Sequence, residues 1–210
     1  SASPAIYPQE DMTATDEQKK TLPPCKCDGI IQVINASRDA EALRGLIEEA
    51  FSETCVYENY EKFIADAQAA LVGEPAFNNS AYLNYAMARA RLDQLSALSK
   101  NNDIEAGRLY MSVNDKYFSE AMGYLDKAGS STGSKGLAID ANLLRFMVFK
   151  EKFQPEKSDA IFDLIAGLIA NYSDDAKVNK KELENIFEKL KRLGFPKHAI
   201  KLKIIYASKV

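Results

Sequence analysis

Histidine occurs once, at His198, and cysteine three times, at Cys25, Cys27 and Cys55. That scarcity excludes much chemistry. A zinc site built from paired Cys and His has too few ligands; a Cys3His set is arithmetically possible but lacks the paired spacing. No Cys-x-x-Cys-His is present, so covalent c-type haem is excluded. His-Glu-x-x-His and a glycine-rich phosphate loop are both missing. No apolar run is long enough to span a bilayer. Nothing in the 210 residues points to an enzyme or to a cofactor.

The Lys177–Val210 stretch carries ten Lys/Arg against three Glu, a balance of +7; the rest balances at −10. An acidic body thus carries a basic end. Such a field biases association and orientation without defining a fold. Glu182, Glu184 and Glu188 interrupt the basic stretch and it has little aromatic interleaving, which disfavours nucleic acid. Lys189, Lys191, Arg192 and Lys201 are the candidate contacts with an acidic surface, on a partner or a neighbouring copy.

Residues 1–28 read as an extended leader. Pro4, Pro8, Pro23 and Pro24 punctuate a polar stretch without periodicity. The start, Ser1-Ala2-Ser3-Pro4, has no basic, apolar signal segment. It suits a chain trimmed on export, periplasmic or extracellular, and equally one carrying added residues. The leader ends at Cys25 and Cys27. A Cys27–Cys55 bridge would close a loop of about 30 residues and stabilise by roughly 3–4 kcal/mol in the loop-entropy account. It needs an oxidising compartment. The alternative is three idle or buried thiols in a cytoplasmic protein.

Helical spacing dominates from Ala36 onward. Leu43, Leu46, Ile47, Ala50 and Phe51 share one face; Tyr60, Phe63, Ile64, Ala67 and Leu71 share the next, ended by Gly73-Glu74-Pro75. A third helix carries the seam Ala81, Tyr85, Ala88, Leu92 and Leu95. Asn101-Asn102-Asp103 breaks it and caps a fourth, which keeps helical spacing from Ala106 to Ala128. A fifth covers about Gly136 to Phe153, and Pro155 opens a sixth, with Ile161, Leu164, Ile165, Leu168 and Ile169 inward. A seventh buries Leu183, Ile186, Phe187, Leu190 and Leu193, and Gly194-Phe195-Pro196 stops and restarts the chain. Ala199–Tyr206 alternates like a strand but has no visible partner, so helix is expected. The result is an all-α fold of antiparallel hairpins, a bundle or α-solenoid, as a single domain over 29–210.

"SEAMGYLDKAG", containing Ala121, Tyr124, Leu125 and Ala128, resembles the second helix of a tetratricopeptide repeat. The first-helix Trp-Leu-Gly-Tyr pattern is missing and no 34-residue period can be traced. "LNYAMARA" and "GRLYMSVNDKYFSEAM" together resemble the helical T-component of periplasmic tripartite (TRAP) transporters, over about a quarter of the chain. Arg108-Leu109-Tyr110, Asp115 and Tyr117 are the counterparts, with Lys116 inserted. The resemblance implies a periplasmic accessory that associates with a solute-binding protein. Tyr82, Tyr85, Tyr110 and Tyr117 are then candidates for a ligand groove; ordinary interhelical packing is the plainer account of the same stripe. The expected function is a non-catalytic helical scaffold or adaptor. The alternative is a ligand-handling accessory with a tyrosine-lined pocket.

Overall fold

A computed structural model describes residues 29–36, 43, 47, 51, 59–73, 79–131, 135–171 and 176–207, without the side chains of 79, 176–179 and 182. All regular structure among them is helical: α1 (Ile30–Ala36), α2 (Tyr60–Val72), α3 (Asn79–Lys100), α4 (Ile104–Gly129), α5 (Lys135–Glu151), α6 (Pro155–Ala170), α7 (Ala176–Arg192) and α8 (Pro196–Ala207). The ambiguous C-terminal segment is therefore helix. No helix among the described residues is long and apolar enough to cross a membrane. The chain divides into two compact units, Ser1–Ser130 and Ser131–Val210. The division falls in the glycine- and serine-rich stretch 129–134.

Local signals set the helix ends. Asn59 caps α2, its side chain accepting from the Lys62 amide at 2.9 Å. Asp103 caps α4 by accepting from the Glu105 amide, and the Asn101 side chain accepts from the Asp103 amide at 2.8 Å. Each cap satisfies an amide that the first helical turn leaves without a partner. Pro155 starts α6, where its missing N–H costs nothing. At the end of α7, Gly194 takes φ +88, with Gly194 N–H bonded to Lys191 O and Phe195 N–H to Leu190 O. The end of α5 repeats this pattern with Phe153 at φ +54, bonded to Lys150 O, and Gln154 N–H to Phe149 O. A glycine fits this left-handed position; a phenylalanine is strained in it.

In the first unit α3 and α4 form a hairpin, α2 packs on α3, and α1 packs on both α2 and α3. α3 thus has neighbours on several sides. Every residue from Ala81 to Ala88 is buried. The single seam expected for α3 is too narrow: Leu92, placed inward by the pattern, is half-buried, whereas Arg91 is buried. In the second unit α5 and α6 form a hairpin, whose ends meet where Lys135 Nζ donates to Asn171 O at 2.6 Å. α7 packs on α8, and α8 on α6. Two residues placed inward by periodicity, Leu164 of α6 and Leu193 after α7, are exposed. Each sits at the margin of a face whose centre is covered by Ile161, Ile165 and Ile169, or by Ile186 and Leu190.

Candidate functional site

The basic end is built by two amphipathic helices. α7 turns Leu183, Ile186, Phe187 and Leu190 inward, so Lys191 and Arg192 project to solvent and Lys189 is half-buried. All three lie in the last turn, where the unpaired carbonyls favour cations. α8 buries Ala199 and Leu202 and leaves Lys197, Ile200, Lys201, Lys203 and Ile204 exposed. Lys203 Nζ lies 5.8 Å above the Phe187 ring, tying α8 to α7. Among the described residues, Lys189, Lys191, Arg192 and Lys201 form no ion pair.

Beside them runs an open groove of about 520 Å³, lined by Asp159, Phe162, Asp163 and Ala166 of α6 and by His198, Lys201, Ile204 and Ile205 of α8. His198 is one of its lining residues. Its ring stands 4.8 Å from Phe162 and 5.6 Å from Phe195, edge to face, and 5.1 Å from Phe146. These three aromatics make an apolar cage. Burial lowers the His198 pKa below its ordinary value; Lys150 and Lys201 push it the same way, against Asp159.

The first unit holds a second polar cluster. Arg91 comes from α3, with only 7% of its side chain exposed. Its Nη1 donates to Glu61 Oε1 at 2.6 Å and to Gln94 Oε1 at 2.8 Å, and its Nε donates to Glu120 Oε2 at 2.8 Å. The guanidinium carbon lies 3.9 Å from the Tyr117 ring centre, and Tyr117 Oη donates to Glu61 Oε1 at 3.0 Å. Tyr60 Oη donates to Asp93 nearby. Burial alone raises the Glu61 pKa, but the hydrogen bond and charge of Arg91, with bonds from Tyr117 and Gln94, outweigh it and hold the carboxyl below the usual range. An ionised carboxylate clamped by a guanidinium has no proton to exchange near neutrality. The cluster ties α2, α3 and α4 together and has the makeup of a structural network. Periodicity alone missed it. One signal was present: Arg91 has apolar Met87 and Leu95 one helical turn to either side, so it shares their buried face.

The tyrosines separate. Tyr82 and Tyr85 are fully buried, Tyr117 is buried in the Arg91 network, and Tyr110 is half-buried. Cys25, Cys27 and Cys55 and the leader lie outside the described residues. Glu184 and Glu188, which interrupt the basic stretch, are exposed. Among the described residues no group of three His, Cys, Asp or Glu side chains can hold a metal ion. No family model matches the chain, and neither a curated protein nor a solved structure was found to be similar to it.

Proposed function

We propose that the chain is a non-catalytic helical scaffold or adaptor that binds an acidic protein surface through its basic C-terminal end. One observation carries the reading: Lys189, Lys191, Arg192 and Lys201 are without ion pairs among the described residues, next to exposed Ile200 and Ile204. Charges of one sign beside apolar side chains suit a docking surface, with charge steering the encounter and burial slowing release. A tyrosine-lined ligand pocket draws no such support, because a ligand at Tyr82 or Tyr85 must displace core packing. Export and a Cys27–Cys55 bridge belong to the same proposal. Peptide mapping without reductant should give the linked fragment; three alkylatable thiols in native protein would reject the bridge.

The decisive experiment is native purification with mass spectrometry of co-purifying chains. A stoichiometric partner is expected. Replacing Lys189, Lys191, Arg192 and Lys201 together by Gln should leave helicity unchanged, weaken the complex and flatten its salt dependence, since such charges are screened over roughly 8 Å at physiological salt. A quadruple variant that assembles like the parent at low salt would reduce the basic end to a solvated face.

A further inference from the structure

The groove between α6 and α8 has a more particular chemistry than a basic patch. Its lining includes the apolar side chains of Phe162, Ala166, Ile204 and Ile205. Its two helices contribute charges of opposite sign. Asp159 and Asp163 stand one turn apart on α6, and Lys201 stands on α8. Among the described residues Lys201 pairs with neither aspartate. Opposite charges from α6 and α8 therefore line one groove without pairing with one another. Ile204, 63% exposed, lines the groove, and Ile200, 56% exposed, adds apolar surface on α8.

We propose that this groove docks one amphipathic helix of a partner protein, apolar on its inner face, with carboxylates on the flank facing Lys201 and cations on the flank facing Asp159 and Asp163. The inference rests on the protein-binding reading above and names the kind of partner. Three features select this occupant. The aspartate pair repels an anionic lipid surface and a nucleic acid backbone alike, so a ligand of one negative sign fits only half the site. The site is also concave, and side chains on a helix at i, i+3, i+4 and i+7 fill a groove that a flat bilayer cannot. Finally, the groove is open along one side, so a small molecule would stay half-covered, whereas small-molecule sites bury most of their ligand. The aspartates, about 6 Å apart along α6, match basic side chains one turn apart on an approaching helix.

The test uses the full chain, isotope-labelled, and a synthetic helical peptide of roughly five turns with Leu on one face, Glu along one flank and Lys along the other. Its addition should shift the Ile204 and Ile205 methyl signals and the His198 ring signals. A contact this small predicts a dissociation constant on the order of 10–100 μM. Ile204→Asp keeps all four candidate cations and changes a solvent-exposed side chain; it should weaken binding by about tenfold or more. A peptide with Gln on both flanks should bind several-fold more weakly. Vesicles of phosphatidylserine and phosphatidylcholine should leave the same signals in place. The proposal is overturned if no shift occurs at about 1 mM peptide, far above the expected constant, if Ile204→Asp binds equally well, or if the vesicles reproduce the shifts. The two readings separate cleanly. If the peptide fails but the quadruple Gln variant still releases a stoichiometric partner, the groove proposal falls and the basic-end reading stands. If no partner co-purifies, the basic-end reading falls.

Discussion

Replacing Arg91 by methionine removes the guanidinium while keeping most of the aliphatic stem. Glu61 and Glu120 then face each other across the α2–α3–α4 junction without their shared cation. Breaking a buried pair by removing one partner costs about 3–5 kcal/mol. Here the orphaned carboxylates can partly rehydrate, because their side chains are 48% and 28% exposed. Contact of the guanidinium with the Tyr117 face adds about 1 kcal/mol. The expected loss is about 2–3 kcal/mol. Urea unfolding measures it, and native-state hydrogen exchange of the α3 amides assigns it to the first unit. Arg91→Lys should not rescue, since one ammonium cannot reproduce the planar fork that reaches Glu61, Gln94 and Glu120 together. Pairing Arg91→Met with Glu61→Gln should cost less than the two single losses added, by about 1–2 kcal/mol. A loss below about 0.5 kcal/mol for Arg91→Met, the scale of a surface pair, or strict additivity with Glu61→Gln would refute the network. Acid behaviour follows with a definite sign. The folded Glu61 pKa is depressed, so its contribution is present above the unfolded carboxylate value and is lost as pH falls through the folded one. Glu61→Gln should remove that part of the acid destabilisation.

Two further outcomes are expected. Phe153 holds φ +54 while 91% exposed, so glycine there relieves backbone strain and sacrifices almost no packing. Phe153→Gly should stabilise by about 0.5–1 kcal/mol after the entropy of glycine is counted, raising Tm by about 2 °C; a lower Tm would refute the strain argument. The single histidine gives one clean titration by proton NMR. His198 should titrate below the ordinary histidine value, and Lys201→Gln should move it upward. Because the folded form binds its proton less readily than the unfolded chain, His198 costs stability as pH falls below about 6.5. A midpoint at or above that value would contradict the apolar cage.

Helix positions and ends were legible in the sequence because they are local. Asp103, Pro155 and Gly194 act within one turn of their own backbone, through a capping oxygen, a missing N–H or a positive φ. The inward faces of α2 and of the described part of α7 follow the same short-range pattern. Which apolar face is finally covered is not local. Only the tertiary structure surrounded α3 with α1, α2 and α4, and so buried Arg91 instead of Leu92. Its carboxylate partners lie about 30 residues away, Glu61 at 30 and Glu120 at 29, beyond the reach of any helical repeat. Leu164 and Leu193 carry the periodicity of core residues yet stay in solvent, because no neighbouring element covers their side of the helix. The aromatic cage around His198 arises in the same way: Phe146, Phe162 and Phe195 converge on it from α5, α6 and the α7–α8 turn only when the helices pack. Periodicity records which residues share a face of one helix, whereas burial depends on what the rest of the chain brings against that face.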